Sequence, residues 1–515
     1  MKKILISVIV VMMLFTLTQT GITAEDTQSD TAVVVRGDTK ITIGGEIRFR
    51  GAYRHNTADQ VNDGSSYYTK LNIVGYTAGT ATPYNVTNIY GTNYSGTATN
   101  GSYTLGSGSL SSGDDHQAFY DTRVRLSVDI KVSDSVHGFI ELESNQGDTD
   151  TTDTVRWGTS SAATGIAAVG NSKSGDLRLR QAWLQYARDN YGVKIGHQLV
   201  KLGNGLFLDH SKFGDDAILA FIKPAREMLL AATTIKFKEG TINNPDDATA
   251  YAIVGAYTGN RYNISGDITF IDDQSFSSTT NYKAHVWNIG LRADGTWMVG
   301  SKDSLTARGD IELQAGDVKW NTVNMEDSAI RGWALLAGLD YKIDKNIKLT
   351  LEYAYGSGNA DDDSSSNVNN FITSLGADQH YTYVYEYHVP TACGGLTGSG
   401  LCNTMYLKGG VAADITPSLY GELYVYWLRA AKNINIYNGD MSSNLGWEID
   451  SKLSYKITKN LQYWIEGGYM FTGNAYDRIK TQTYTYTYLS TNPAVTYENT
   501  RNNAYAIRHG IQLNF

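Results

Sequence analysis

Residues 39–55 read TKITIGGEIRFRGAYRH. Ile41, Ile43, Gly45, Ile47, Phe49, Gly51 and Tyr53 alternate with Thr42, Gly44, Glu46, Arg48, Arg50, Ala52 and Arg54. Side chains of an extended strand point to opposite faces with period two, so this stretch carries one apolar and one charged face. It separates a greasy environment from a wet one. The alternation returns in Thr122, Val124, Leu126, Val128 and Ile130 against Asp121, Arg123, Arg125, Ser127 and Asp129. It returns again in Leu305, Ala307, Gly309, Ile311 and Leu313 against Arg308, Asp310 and Glu312, and in Trp447, Ile449 and Leu453 against Glu448, Asp450 and Lys452. A soluble antiparallel sheet needs a second layer over its apolar face, yet no amphipathic helix follows the first 24 residues. Lipid supplies that cover. Because hydrocarbon offers no partner to backbone N–H and C=O groups, strands cross it only as a closed barrel.

Alternating segments recur near 39–54, 116–133, 135–146, 175–188, 191–200, 217–223, 228–238, 248–258, 261–272, 282–294, 303–316, 329–342, 346–357, 404–414, 418–429, 444–456, 460–472 and 502–515. They predict an all-β transmembrane antiparallel barrel of 18 strands, the even number that single-chain bacterial barrels use. The stretch AILAFIKPAREM at 217–228 reads either as strand and turn or as part of an inward loop, and the second reading gives 16 strands. Short links at 132–136, 190–191, 258–261, 343–346 and 456–460 interleave with long polar stretches at 55–115, 147–174, 358–403 and 473–501. This is the pattern of short periplasmic turns and long extracellular loops. All six prolines fall between the proposed strands, in loops or turns, as they must, since proline cannot donate to a ladder. TQTYTYTYLS at 481–490 reads as an extended hairpin in an extracellular loop. Tyr53, Tyr120, Tyr257, Trp287, Tyr341, Tyr355, Trp427, Tyr455 and Tyr469 stand near strand ends, where aromatic girdles form.

Of the 515 residues, 52 are Gly and 36 Tyr against 6 Pro and 2 Cys, which suits strands and excludes collagen-like, Pro-rich disordered and disulfide-stapled classes. After the leader no apolar run approaches the roughly 20 residues of a spanning helix, so a helical membrane bundle is excluded. Met1 to Lys3 is a basic n-region, Ile4 to Leu17 an apolar h-region, and Thr18 to Ala24 a polar stretch ending in a small residue. Residues 1–24 thus read as a cleaved signal peptide, 25–38 as a short periplasmic segment and 39–515 as one barrel domain. Loss of Lys2 and Lys3 with the leader takes the formal charge from −9 to −11, which argues against nucleic acid as a partner.

The chain closes on Tyr505, Ile507, His509, Ile511, Leu513 and Phe515, alternating with Ala506, Arg508, Gly510, Gln512 and Asn514. A terminal Phe on an alternating strand resembles the signal by which the barrel-assembly machinery recognises its clients. With TKITIGGEIRFRGAY (39–53), RLRQAWLQY (178–186) and YGVKIGHQLVKLGNGLFLDHSKFGDDAI (191–218), Phe515 makes the chain resemble Gram-negative outer-membrane porins of the alginate-export and substrate-specific 18-stranded type. The resemblance implies an exported integral outer-membrane protein that passes small hydrophilic or charged solutes by diffusion. Alginate exporters have a strongly basic lumen, whereas this chain is acidic overall and mixes signs on its lumen face.

With the apolar sets facing lipid, Arg48, Arg50, Arg54, Arg123, Arg125, Arg178, Arg180, Lys194 and Arg508 turn inward as a basic ladder on one wall. Glu141 and Glu143 lie nearby, and Asp310, Glu312, Glu352, Glu422, Glu448, Asp450 and Glu466 form an acidic wall farther round. Opposed walls of this kind set up a transverse field that weights a pore by charge, although any aqueous lumen is polar. LGNGLFLDHSKFGDD (202–216) is glycine-rich enough to fold into the barrel, and equally suits an ordinary external loop. His197, Asp209 and His210 lack further ligands at metal spacing, and Asp361 to Asp363 read as a solvated loop, so no metal or other cofactor is expected. Cys393 and Cys402 flank GGLTGSGL and predict a local disulfide in an oxidising compartment. No nucleophile motif and no Ser/His/acid constellation stands out, so no enzyme is predicted.

Three functions compete. A diffusion porin leads, because an 18-stranded barrel without a plug domain leaves a channel. About 14 residues precede the first strand of the mature chain, too few for such a domain. A surface-binding barrel whose loops carry the function, and a conduit for a separate multihaem cytochrome, are the alternatives. Lipid and small solutes are the expected partners, and self-association of barrels is left open.

Overall fold

The computed structural model describes residues 32–57, 66–73, 82–87, 93–98, 102–109, 116–145, 155–157, 176–241, 246–275, 282–320, 326–344, 346–360, 367–375, 381–394, 396, 398–434, 441–486 and 494–515. The leader at 1–24 and the acidic run Asp361 to Asp363 lie outside the described residues. Eighteen strands make the barrel: β1 Thr39–His55, β2 His116–Lys131, β3 Val136–Asn145, β4 Asp176–Arg188, β5 Tyr191–Gln198, β6 Asp215–Ile222, β7 Met228–Lys238, β8 Ala248–Thr258 and β9 Tyr262–Asp273. The second half contributes β10 Tyr282–Val299, β11 Asp303–Trp320, β12 Trp333–Ile343, β13 Ile347–Gly356, β14 Thr404–Thr416, β15 Leu419–Ile434, β16 Ser442–Lys456, β17 Leu461–Thr472 and β18 Ala504–Asn514. Each pairs antiparallel with its sequence neighbours, and β18 returns to β1 with Glu46 opposite Asn514 and His55 opposite Tyr505. The ring is closed, so no strand edge is left without a ladder partner. Phe515 extends the seam: its carbonyl accepts from the Gly45 N–H at 2.8 Å and its own N–H donates to Gly45 O at 3.1 Å.

The uncertain stretch at 217–228 resolves as β6 and the turn into β7, with Asp216 opposite Lys236 and Ile222 opposite Leu230, so the ring has 18 strands and not 16. Ile218, Ile222 and Leu230 are exposed, the signature of a strand whose apolar side faces outward. The same holds around the ring for Phe49, Leu126, Ile140, Leu184, Ile195, Ile253, Ile268, Leu291, Leu313, Leu351, Leu423 and Ile449. Exposed apolar residues in this number would be untenable in water and are what a lipid-facing wall requires. Trp427 and Trp447 sit side by side on this surface, as do Tyr257 and Tyr262.

The links at one end of the ring are short: 132–135, 189–190, 223–227, 259–261, 300–302, 344–346, 417–418 and 457–460. The long ones all leave from the other end. Two refinements to the expected strands have clear causes. The segment expected as one strand at 329–342 is split into Ser328–Ile330 and β12, because an inward segment pairs with it there: the Val368 N–H donates to Ala329 O and the Arg331 N–H to Val368 O, both at 2.9 Å. Ahead of β1, Ala32–Arg36 turns at Gly37 and pairs back on Thr39–Ile43, adding a small hairpin within the 25–38 segment. Arg478–Tyr486, which takes in part of the 481–490 run expected as a hairpin, pairs instead with Ala494–Thr500, and Ser66–Ile73 and Ser102–Ser109 join them in a separate four-stranded sheet.

Candidate functional site: the lumen and its constriction

Strand parity places all fifteen predicted lining residues on the inward face. On β1 and β2 the inward sets are Glu46, Arg48, Arg50, Arg54 and Asp121, Arg123, Arg125, with Phe49, Val124 and Leu126 outward. The frame of RLRQAWLQY, ambiguous in the sequence, is settled by a bulge between Leu179 and Gln181. It turns both Arg180 and Gln181 inward, where each donates to Glu141. Arg178 lies inward opposite Glu143, and Lys194 holds its ammonium 4.0 Å from the Trp183 ring centre.

The separated walls expected from the sequence are replaced by local compensation. On the basic side, Arg123 Nε donates to Glu46 Oε1 at 2.7 Å, Arg50 Nε to Asp121 Oδ2 at 2.9 Å, and Arg125, Arg180 and Arg508 pair with Glu143, Glu141 and Glu466. On the acidic side, Arg292 lies among Asp267, Asp310 and Glu312, and Arg308 pairs with Asp340 and Glu352. The physical reason is short-range: a carboxylate one strand away lowers the energy of a crowded guanidinium far more than a distant wall does. Glu46, Asp121, Arg292 and Arg308 were missing from the predicted set although their parity placed them in it.

What fills the lumen comes from two long connections. The first is the 199–214 segment. The Ser211 and Lys212 carbonyls accept from Arg180 at 2.8 Å, and Phe207 and Leu208 are wholly buried. Gly203, at φ +52°, packs on the Arg292 guanidinium so closely that a Cβ would collide with it. Only glycine takes that backbone without strain and leaves that room. Of the two readings open for 202–216, the inward one is the structure's. His197 bonds Asp216, Asp209 pairs with Lys201 at 2.7 Å, and His210 lies between Asp215 and Ser374, each 2.7 Å away.

Asp215, His210 and Ser374 thus form a Ser/His/acid arrangement that sequence spacing concealed, since Ser374 stands 164 residues from His210. Its serine N–H is engaged by Phe207 O at 2.7 Å, so it offers no oxyanion donor of its own. Its evident work is structural: Leu208–Asp209 pairs in parallel with Ser374–Leu375, and the imidazole ties the two inward segments together.

The second is the stretch expected as an external loop at 358–403, and here the structure corrects the sequence: its described parts at 367–375 and 381–394 turn inward. A single helical turn, α1 (Tyr385–His388), sits inside the barrel. Glu448 Oε1 accepts from the N–H groups of Tyr383 at 2.9 Å and Val384 at 2.5 Å, Glu448 Oε2 from Tyr385 at 2.8 Å, and Asp450 Oδ2 from Tyr383 at 3.0 Å. Carboxylates from β16 therefore satisfy the free donors that begin a helix. Tyr385 is wholly buried, its hydroxyl bonded to Thr404 Oγ1 at 3.0 Å and to the Ala392 N–H at 3.0 Å. Burial pushes the Tyr381 and Tyr385 hydroxyls above their ordinary range, so the constriction contributes rings and hydroxyls, not phenolate charge. Tyr383 and Tyr387 face Arg508, whose guanidinium lies 5.1 and 5.2 Å from their ring centres. Cys393 and Cys402 are joined by a disulfide, with Cα atoms 5.5 Å apart, at the root of the segment. The alternating tyrosines of YTYVYEYHV (381–389) were the available signal, but nothing local names Glu448 as their partner.

A polar cavity of about 330 Å³ lies between this segment and the β14–β18 wall, and a narrow cleft separates it from Arg50, Arg54 and Phe119 on the other side. Pseudomonas aeruginosa OccK9 (OpdG) superposes on this architecture with a TM-score of 0.50 and 10% identity, covering 92% of this chain and 98% of that one. The chain has the fold of substrate-specific outer-membrane porins. Pseudomonas aeruginosa OccK1 (OpdK) matches with a TM-score of 0.49 at 8% identity, and Acinetobacter baumannii OccAB4 with 0.48 at 12%, each over 92% of this chain and 98% of its own. The OccK9 similarity bears out the 18-stranded barrel fold that the resemblance implied and says nothing of alginate export. No protein-family model and no curated protein matches the sequence.

Proposed function

We propose that the chain is an exported, integral outer-membrane channel of a Gram-negative cell, through which small hydrophilic solutes diffuse. The observation that carries this reading is the closed 18-stranded ring with an apolar outer face and an ionic inner one, since such a surface is stable only between lipid and water. Short links on one end correspond to periplasmic turns, and the terminal Phe515, on the outer surface at the seam, serves assembly. The two inward segments narrow the passage, and the paired lumen charges set which solutes pass.

The test is osmotic swelling of proteoliposomes. Vesicles with folded protein swell in isotonic arabinose and more slowly in larger sugars, in each case faster than protein-free vesicles. Swelling no faster than that of empty vesicles, from protein shown to be folded and inserted, overturns the reading. A surface-binding role is favoured by the separate four-stranded sheet that segments of the long connections build.

A further inference from the structure

The cavity between the inward segment and the wall is balanced in charge, with Lys408, Lys452 and Arg508 against Glu422, Asp450 and Glu466. Half of this charge is already paired: Glu466 meets Arg508 and, at 3.4 Å, Lys452. Glu422 has no ion pair among the described residues but accepts from the Tyr420 hydroxyl at 2.9 Å. Lys408 and Asp450 keep the most capacity. Among the described residues no carboxylate comes within ion-pair distance of Lys408, whose ammonium rests 4.3 Å from the Tyr424 ring centre and 5.4 Å from that of Tyr426. Asp450 is 9% exposed and its Oδ1 has no hydrogen-bond partner, although its Oδ2 is taken by the Tyr383 N–H. A buried carboxylate oxygen left unbonded is costly and calls for a donor.

Lys408 and Asp450 lie on β14 and β16, with β15 between them. Lys408 stands opposite Tyr426, and Asp450 opposite Tyr424. Two strand spacings, about 10 Å, therefore separate their backbones. Two tyrosine rings fill the interval. The site has an aromatic floor, a spare donor at one end and a spare acceptor at the other. A hydroxyl group both gives and takes a hydrogen bond, so a hydroxyl-rich solute satisfies both ends while its C–H face lies on the rings. An anion would gain Lys408 and meet Asp450 and Glu422, and a cation would meet the reverse; a neutral solute meets neither cost. The volume falls at the small end of the roughly 300–1,000 Å³ typical of small-molecule sites.

We propose that this cavity is a binding subsite for an uncharged polyhydroxylated solute of monosaccharide size. The proposal rests on the channel reading for its role in transport, but not for its binding chemistry. D-glucose is the probe. In planar bilayers it reduces open-channel current saturably, and Lys408→Met and Asp450→Asn each raise the half-blocking concentration about tenfold. Tyr424→Leu, which removes ring and hydroxyl without touching a charge, does the same and stands in if either charge variant fails to fold. The proposal is overturned if glucose lowers current only in proportion to its concentration, if the variants leave the half-blocking concentration unchanged, or if alanine or acetate blocks at lower concentration than glucose. Equilibrium dialysis of labelled glucose against the folded protein in detergent separates the two readings: binding without conductance sinks the channel and keeps the subsite, and conductance without binding does the opposite.

Discussion

Glu448→Ala raises the unitary conductance several-fold over the wild type and makes the open current noisier. The carboxylate of Glu448 is the acceptor for the N–H groups of Tyr383, Val384 and Tyr385, and it is wholly buried. Alanine leaves the Val384 and Tyr385 donors at the start of α1 without partners, at about 1–3 kcal/mol for each, and leaves Tyr383 with Asp450 alone. Asp450 Oδ2 accepts only from Tyr383 and cannot replace what is lost. The segment then leaves its inward position, while β16 keeps its outward Trp447 and Ile449 and the barrel stays folded. Glu448→Gln retains one acceptor oxygen and gives an intermediate conductance. Single-channel recording on the three proteins checks the order; equal conductances would mean that 357–403 does not restrict the pore.

Arg292→Ala destabilises the barrel by about 3–5 kcal/mol at neutral pH, the cost typical of removing one partner from a buried ion cluster. Arg292 is the cation shared by Asp267, Asp310 and Glu312, all buried to 3% exposure or less. The substitution also removes the surface on which Gly203 rests, so the 199–214 segment loosens with it. Without the guanidinium the three buried carboxylates have no shared cation and repel one another. Adding Asp267→Asn and Glu312→Gln to the variant restores most of the loss. Urea unfolding of the micelle-refolded proteins at pH 7 measures this, and a triple variant no more stable than Arg292→Ala would refute the assignment.

The barrel was legible because lipid on one side and water on the other force a period of two on every strand, and that period survives in Phe49 beside Arg48 and Arg50 as well as in Trp447 and Ile449 beside Glu448. Strand ends were legible from turns, and β6, the doubtful strand, differed only in being short and followed by Pro224. The inward positions were legible one strand at a time from parity, except at Arg180, which the bulge between Leu179 and Gln181 turns inward. Their pairing was not. Arg50 faces Asp121 directly and Arg123 meets Glu46 on a diagonal, so both require the register of β1 on β2, and Arg292 with Asp267 requires that of β9 on β10. The constriction was hidden for a different reason. Tyr383 and Glu448 are 65 residues apart, and the 381–389 stretch carries tyrosines on a segment with no strand or long helix to give it a face. A loop buried inside a barrel uses the same polar, aromatic vocabulary as one outside it.

The measurement that bears most directly on the central claim is the conductance of the purified, refolded wild-type protein in a planar bilayer. A closed ring with a polar, loop-narrowed lumen predicts discrete, stable current steps, small for an 18-stranded barrel because two segments occupy the interior. Silence from protein that is folded and inserted, persisting in Glu448→Ala, would contradict it: the lumen would then be sealed, and the loops would carry whatever this barrel does.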